Sequence, residues 1–307
     1  MELFKDTLNL DFVGKYKMAM IFSGIVILAS LVSIFLHKGL NYGIDFRGGT
    51  NVQIRLGQTY NLDEIRTIFS SLNIGEVMLQ TFGDEENNEI LLLLPVDSVL
   101  GTGEELTGNI QKYLGTQYPQ MEIRRIESIG PKVGDELKAS ALDAILVALG
   151  LVLIYISFRF EWRFAVGAIA ALVHDICFVV GVFSFFEHEI TLTIVAALLT
   201  VVGYSLNDTI VIFDRVRENQ ARFRKRELSD LINLSTNETM SRTILTSGTT
   251  LLVVATLYAM GGEIIHDFAL ALLVGIVSGT YSTIYIASPC LLWLNRVVPQ
   301  KSEQKQA

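Results

Sequence analysis

Six blocks of mainly apolar residues interrupt an otherwise polar chain, and each block is about as long as a bilayer is thick. A helix needs about 20 residues to cross a hydrocarbon core of about 30 Å. The fifth block is the shortest, and it reaches this length only if it begins near Thr239, which brings Arg242 to the membrane edge. The predicted spans cover residues 18–37, 139–158, 164–186, 190–213, 239–260 and 268–294. The pattern therefore predicts a polytopic α-helical membrane protein.

The polar stretch between the first two blocks, residues 38–138, has the pattern of a small folded domain. Alternating apolar positions predict strands at Asn51–Leu56, Glu76–Phe82, Glu89–Leu94 and Met121–Ile126. Helices are predicted at Leu62–Leu72, capped by Asn61, and at Gly103–Leu114. The order βαββαβ is that of a ferredoxin-like α+β domain. The predicted organisation is a tail at 1–17, one span, this domain, a five-helix bundle at 139–294 and a tail at 295–307.

Lysine and arginine are distributed unequally between the two sides of the predicted spans. They occur in residues 1–17 and are dense in residues 214–242, whereas the short loops 187–189 and 261–267 contain none. Positive residues in short loops mark the cytoplasmic side, and long loops translocate largely regardless of charge. Both termini are therefore predicted in the cytoplasm, and the α+β domain on the external side.

Composition excludes several classes of function. The chain has 307 residues, 50% of them hydrophobic and 18% charged, and its net charge of −8 argues against a nucleic-acid partner. The two cysteines lie inside apolar blocks without metal-ligand spacing. The sequence contains no Walker A loop, HExxH motif or nucleophile elbow. We therefore expect no enzyme activity, no metal and no cofactor, and an energy supply from a gradient or a partner.

Asp208 is the first candidate for chemistry, because ionisable groups inside a bilayer are costly and commonly functional. It lies in the fourth span, about 10 Å from Arg215 at a rise of about 1.5 Å per residue. Tyr204 and Ser205 precede it by one turn and are expected on the same helix face. A carboxylate among hydroxyls suits a proton carrier, and the alternative is a structural aspartate paired with an arginine or the backbone.

Arg242 opens the fifth span and is followed on its helix face by hydroxyl residues, first Thr246 and then Thr249 and Thr250. The arginine is a candidate partner for Asp208, and the hydroxyls could hold a water chain for protons. The alternative is a positive anchor at the membrane edge with hydroxyl packing between helices.

His174 and Asp175 lie near the middle of the third span and are secondary candidates for the proton path. Because they are adjacent, we expect them on different helix faces and not in one cluster. The alternative is a hydrogen bond that fixes helix packing. Asp143, one turn from the external end of the second span, is expected to reach the interface instead.

Two groups of glycines suggest close backbone approach. Gly275 and Gly279 form a GxxxG pair in the sixth span, which would serve either a contact within the chain or a subunit interface. Gly43, Gly48 and Gly49 predict a tight external turn directly after the first span.

Three stretches together resemble the SecD/SecF family of protein-export membrane proteins, within the resistance–nodulation–division superfamily. The first, GIDFRGG, includes Gly43, Asp45, Gly48 and Gly49. The second, IGPKVGDEL at 129–137, includes Gly130, Pro131 and Gly134. The third, GYSLNDT at 203–209, continues through FDRVREN at 213–219 and contains Asp208. The resemblance covers nearly the whole chain apart from its tails.

The resemblance implies a half transporter with one span, an external domain and five further spans, whose other half is SecD. It implies association with SecYEG and YajC in the inner membrane, and use of the proton motive force in late steps of preprotein translocation. Asp208 matches the family's intramembrane carboxylate, and Arg242 matches a basic residue of its proton path. The periplasmic domain would meet emerging preproteins and SecD.

Two other functions remain open on the residues alone. A structural scaffold of the translocation channel would not need the Asp208 carboxylate. A small-molecule or lipid exporter of the same superfamily would carry a second large external loop, and the loop at 187–189 is short.

Overall fold

The computed structural model describes residues 9–70, 78–82, 87–96, 98, 100–101 and 103–297. In chain order the elements are α1 (Tyr16–Leu36), α2 (Ile44–Arg47), β1 (Gly49–Arg55), α3 (Leu62–Ser70), β2 (Met78–Phe82), β3 (Glu89–Leu94), α4 (Gly103–Leu114), β4 (Glu122–Ile129), α5 (Pro131–Arg159), α6 (Trp162–Phe185), α7 (Leu192–Arg222), α8 (Leu228–Met260), α9 (Glu263–Ser282) and α10 (Ser288–Val297). A π-helical segment, Thr283–Ala287, joins α9 to α10.

Six helical stretches of the described chain are long and apolar enough to cross a membrane, at the six predicted places. The helices run beyond the apolar blocks: α7 continues to Arg222, and α8 begins at Leu228, well before Thr239. These extensions are polar, so they cannot be recognised by hydropathy. The sixth stretch contains the π-helical segment, whose wider turn is explained by Pro289. A proline lacks an N–H and its ring clashes with the carbonyl four residues earlier, here that of Tyr285 inside the π segment.

The residues between α1 and α5 form a four-stranded antiparallel sheet in the order β2-β3-β1-β4, and the predicted order βαββαβ is found. Asn61 caps α3, since its Oδ1 accepts a 2.9 Å hydrogen bond from the Asp63 N–H. Alternate strand residues, such as Val52 and Leu92, are fully buried with side chains of α3 and α4. The predicted helix end at 71–72, the predicted strand start at 76–77, and residues 1–8 and 298–307 of the predicted tails lie outside the described residues.

The helix bundle buries α6, α7 and α9 most deeply and leaves α1 and α5 at its periphery. The buried residues of α1 are three serines, Ser23, Ser30 and Ser33, while its apolar side chains point outward. Outward leucines and phenylalanines are stable where the surroundings are lipid or another membrane helix. The surface of the bundle is therefore that of a membrane protein.

The predicted turn after the first span contains one helical turn, α2, and two glycines in the positive-φ region. Gly48 has φ +74° and Gly49 has φ +132°, and a Cβ on Gly49 would lie 2.6 Å from the Leu94 carbonyl oxygen. Gly134 lets α5 approach α2, because a Cβ there would lie 3.0 Å from the Phe46 carbonyl oxygen. Pro131 occupies the first turn of α5 directly after its N-cap, Gly130. These glycines fix the α+β unit against α5.

The same turn is tied to the start of α7. The Gly43 N–H donates to the Ile190 carbonyl at 2.9 Å, and the Ile190 N–H donates to the Asn41 carbonyl at 2.7 Å. Asp45 Oδ2 accepts a 2.8 Å hydrogen bond from the Leu192 N–H, so it caps α7 from a distant segment. Any shift of α7 along its axis therefore acts directly on the turn that leads into the sheet.

Candidate functional site

Asp208 lies on α7 with its carboxylate buried between helices. Its Oδ1 accepts a 2.6 Å hydrogen bond from the Thr243 hydroxyl of α8. Its Oδ2 is buried and has no hydrogen-bond partner within the part of the chain that the structure describes. One carboxylate oxygen is thus satisfied and the other is not, which is costly for an anion in apolar surroundings.

Arg242 is next to Thr243 in sequence, but its side chain is exposed. Among the described residues it forms no ion pair within 4.0 Å, and it acts on Asp208 only through a longer-range charge attraction. Consecutive helical residues are about 100° apart around the axis, so only one of the two can face α7. Thr243 occupies that face, and sequence reasoning missed it because it singled out charge.

The hydroxyls that follow Arg242 are bonded mainly to their own helix. Thr246 donates to the Arg242 carbonyl at 2.9 Å, and Thr250 donates to the Thr246 carbonyl at 2.9 Å. Tyr204 of α7 donates to the Thr250 hydroxyl at 3.3 Å. Within the part of the chain that the structure describes, the bond between Tyr204 and Thr250 is therefore the one hydrogen bond that links the predicted hydroxyl face to α7.

Ser205 does not face Asp208 as predicted, because it donates to a different carboxylate, that of Asp175 on α6. The Ser205 hydroxyl lies 2.7 Å from Asp175 Oδ2. Two serines of α9 complete the arrangement: Ser278 donates to Oδ1 at 2.6 Å, and Ser282 donates to Oδ2 at 2.8 Å. Asp175 is almost fully buried, with 1% of its surface exposed. These three hydroxyls and the carboxylate are called the serine cage below.

The expectation that His174 and Asp175 cannot share a cluster is wrong. His174 Nδ1 lies 3.3 Å from Asp175 Oδ1, so the two neighbouring side chains do meet. The His174 ring also packs near the ring of Tyr281, whose hydroxyl donates to the Ala19 carbonyl of α1 at 2.7 Å. The cage is therefore connected to α1 through one histidine and one tyrosine.

The two carboxylate sites are joined by threonines beside them. Thr209, adjacent to Asp208, and Thr283, adjacent to Ser282, have hydroxyl oxygens 2.8 Å apart. Thr283 is the first residue of the π segment. Such segments occur frequently at functional sites, because they reposition side chains within a helix.

Gly275 and Gly279 serve a contact within the chain, which decides between the two predicted alternatives. A Cβ on Gly275 would lie 2.2 Å from Val201 Cγ2, and one on Gly279 would lie 2.9 Å from Ser205 Cβ. The glycines therefore bring α9 close enough to α7 for Ser278 and Ser282 to reach Asp175.

At the arginine-rich end of the helices, a second polar group joins α7 to α8. Arg215 Nε donates to Glu238 Oε2 at 2.6 Å, and Asn219 Nδ2 donates to the same oxygen at 2.7 Å. Asn219 also donates to the Ser235 hydroxyl at 3.0 Å. The sequence analysis used the charges in this region only to predict orientation. Glu238, one turn before Arg242, was the residue that could have indicated an ion pair with Arg215.

At the opposite end, a cavity of about 380 Å³ lies between the free face of the sheet and the helix ends. Its lining includes Asn51, Gln53 and Glu189. Burial raises the pKa of Glu189, and the nearby carboxylates of Asp267 and Asp45 raise it further, while Arg47 opposes them. His188 Nδ1 lies 2.9 Å from Asp267 Oδ1 at the rim.

Within the described residues no group of three or more histidine, cysteine, aspartate or glutamate side chains could hold a metal ion. Asp143 lies exposed on α5, apart from the other carboxylates of the bundle.

Comparison with known families decides the relationship of the chain. The family described as "Protein export membrane protein SecD/SecF, C-terminal" matches residues 109–297, more than half of the sequence. The chain belongs to the SecD/SecF family. A second match, "SecD/SecF GG Motif", covers residues 33–59 and includes α2 with its flanking glycines. The chain is thus a multi-pass membrane protein with a role in Sec-dependent protein export.

Relatives in the SecD/SecF family match over nearly their whole lengths. A protein translocase subunit SecF from Vibrio alginolyticus is 46% identical over 100% of this chain and 98% of its own length. A subunit of the same description from Pseudomonas aeruginosa is 42% identical over 94% of this chain and 92% of its own length.

The solved structure of SecDF from Thermus, described as a translocon-associated membrane protein, is similar with a TM-score of 0.84 and 35% identity. A structure of SecDF in a super-membrane-facing form is similar with a TM-score of 0.71. Each comparison covers 96% of this chain but only 40% of the SecDF chain, so this chain spans less than half of those longer proteins. The SecD/SecF C-terminal match contains Asp208, Asp175 and Glu238.

Proposed function

We propose that this chain is one half of a proton-driven membrane complex that promotes late steps of preprotein translocation, with a SecD-type chain as the other half. Similarity to 40% of the SecDF chain supports this division, because the longer protein has room for a second half. The proposal includes SecYEG, YajC and exported preproteins as partners, and protons as the coupling ion. The complex lies in the cytoplasmic (inner) membrane.

In this proposal the spans have the 1+5 arrangement of the resistance–nodulation–division superfamily. The positive residues in 1–17 and 214–242 support termini in the cytoplasm. The sheet order β2-β3-β1-β4 supports a ferredoxin-like domain, which the same orientation places in the periplasm.

The observation that carries the proposal is that two buried carboxylates differ in the number of hydrogen bonds they accept. Asp175 accepts hydrogen bonds from three hydroxyls, and its Oδ1 also lies 3.3 Å from His174 Nδ1. Asp208 receives one hydrogen bond, from Thr243, and its Oδ2 has no partner among the described residues. A proton can bind at that free oxygen without displacing another donor. We therefore assign the proton to Asp208 and a fixed anchoring role to Asp175.

Protonation would act on helix packing through Thr243 and Arg242. Neutralising Asp208 weakens the charge-assisted bond from Thr243 and removes the attraction to Arg242, so α7 and α8 can shift against each other. The shift reaches the α+β domain through the bond between Asp45 and the Leu192 N–H. One charge moving through 100 mV is worth about 2.3 kcal/mol, so a few protons can bias a domain movement.

The test is preprotein translocation into membrane vesicles with Asp208→Asn, with the full chain co-produced with its SecD-type partner. Asp143→Asn is the matched control, because it makes the same chemical change at an exposed position. We expect Asp208→Asn to assemble, as shown by co-purification, and to lose only the stimulation that depends on a proton gradient. Full stimulation in an assembled Asp208→Asn complex would overturn the proposal.

A structural scaffold is the second candidate, and the serine cage favours it. A buried carboxylate of α6 that accepts hydrogen bonds from three hydroxyls of α7 and α9 fixes helix packing without needing to exchange a proton. This function predicts that export depends on Asp175 and is indifferent to Asp208. Full stimulation in an assembled Asp208→Asn complex would therefore favour the scaffold, and loss of stimulation would favour the proton-driven function.

A further inference from the structure

We propose that the ion pair between Arg215 and Glu238, together with Asn219 and Ser235, closes the cytoplasmic end of the proton path. The inference rests on the proposed function, since it assigns the path to Asp208. It adds a gate that opens and closes on one side of that carboxylate. The four residues are called the α7–α8 closure.

The closure and Asp208 lie on one helix–helix interface. Three contacts run in antiparallel register along it: Asp208 with Thr243, Arg215 with Glu238, and Asn219 with Ser235. Arg215 is seven residues beyond Asp208, about 10 Å along the helix. A separation of α7 from α8 that exposes Asp208 to the arginine-rich side must break the closure first.

The closure seals an apolar layer. Ile212 of α7 and Met240 of α8 lie between Asp208 and the ion pair along their helices, and both belong to one buried apolar cluster. Asn219 and Ser235 below them are almost fully buried, with 1% and 0% exposed. Protons pass an apolar layer only through water, which the intact closure excludes.

Each side of the closure also makes polar contacts with a further part of the chain. On the α7 side, Arg159 of α5 lies 3.0 Å from Asp214, and Arg217 donates to the Arg159 carbonyl. On the α8 side, Asn237 exchanges two hydrogen bonds with the backbone of Leu10, at 2.8 and 2.9 Å. The segment at Leu10 leads directly into α1. The closure thus joins α7, which is also bonded to α5, to α8, which is also bonded to the segment before α1.

Arg215 has an alternative partner for the open state. Its Nη1 lies 2.7 Å from Glu218 of the same helix, whose side chain is mostly exposed. When α8 moves away, Arg215 keeps this carboxylate and is not left unpaired. Breaking a partly buried ion pair is costly when a charge loses every partner, and Glu218 removes that cost on the α7 side.

The first test measures passive proton leak in vesicles that contain the full chain and its SecD-type partner. Glu238→Gln keeps the shape of the side chain but removes its charge. We expect the rate of passive proton leak to rise several-fold. Glu218→Gln is the matched control, because it removes the other partner of Arg215 outside the interface, and its leak should stay at the starting level. The double variant Asp208→Asn with Glu238→Gln should lose the added leak, because the path needs Asp208.

The second test holds the closure shut. In a variant without Cys177 and Cys290, we introduce Asn219→Cys with Ser235→Cys, whose native side chains are in direct contact. Oxidation, or a short thiol cross-linker, should abolish the gradient-dependent stimulation of export, and reductant should restore it in the same sample. This comparison is independent of any folding defect, because both states come from one preparation.

Several outcomes would overturn the inference. They are an unchanged leak in an assembled Glu238→Gln complex, an added leak that persists without Asp208, and full stimulation in the cross-linked state. Failure of the proposed function would give a different result. The single variant Asp208→Asn, in which the closure is unchanged, would then keep the gradient-dependent stimulation of export.

Discussion

The Thr243 hydroxyl donates a 2.6 Å hydrogen bond to Asp208 Oδ1, while the second oxygen of this carboxylate is buried without a partner among the described residues. This one contact joins α7 to α8 at the candidate proton site. It also replaces the direct ion pair with Arg242 that the sequence suggested.

Replacing Thr243 tests the importance of this contact. Thr243→Val removes the donor and keeps the shape, so the Asp208 carboxylate loses the one hydrogen bond that the described residues give it. Hydrogen bonds to charged groups are worth about 1.5–3 kcal/mol, roughly a tenfold or larger effect. We expect gradient-dependent export to fall by that factor, measured in vesicles. Thr243→Ser retains the hydroxyl and should retain most of the activity; equal losses in both variants would contradict the assignment.

Removing the centre of the serine cage should destabilise the bundle. Asp175→Ala leaves the hydroxyls of Ser205, Ser278 and Ser282 without their common acceptor, and each unsatisfied buried polar group costs about 1–3 kcal/mol. We expect a clearly lower thermal unfolding temperature in detergent, followed by tryptophan fluorescence. Asp143→Ala, at an exposed site, is the control; a similar effect of both changes would show that the cage is not a packing centre.

The close approach of α9 to α7 depends on Gly275. Gly275→Ala places a methyl group 2.2 Å from the present position of Val201 Cγ2, so the helices must separate. Forcing extra carbon into a packed interface typically costs about 1–3 kcal/mol. The double variant Gly275→Ala with Val201→Ala should recover most of the loss, as judged by the unfolding temperatures of the four proteins. Additive losses would mean that the two residues do not meet.

Glu189 should make the stability of the folded chain pH-dependent. Burial and neighbouring carboxylates raise its pKa in the folded state. A raised folded-state pKa means that the native chain binds the proton more tightly than the unfolded chain. The contribution of Glu189 to stability is therefore full at low pH and is lost as pH rises through the folded-state pKa.

Glu189→Gln removes this dependence, because the amide does not titrate. Its unfolding temperature should exceed that of the parent at neutral and alkaline pH, and the difference should shrink in acid. Glu187→Gln, at an exposed position of the same loop, is the comparison. A difference that is constant with pH would contradict the raised pKa.

Sequence alone predicted the six apolar helices and the order βαββαβ, which the structure contains, and it singled out Asp208 as the first candidate residue. Each depends on local information: the length of an apolar block, the period of apolar positions, or the cost of one carboxylate in a membrane. The glycines near Gly43 and at Gly275 were likewise recognisable, because glycine adopts positive φ without steric cost and lets two helices approach closely.

The tertiary structure alone decided which groups meet. Ser205 turns to Asp175 and not to Asp208, Thr243 faces α7 in place of Arg242, and Ser278 and Ser282 come from a helix about a hundred residues away in the chain. The contact between His174 and the neighbouring Asp175 likewise depends on side-chain positions that periodicity does not give. A helical pattern defines faces, whereas the rotation and register of each helix against its neighbours are fixed only when all of them pack together.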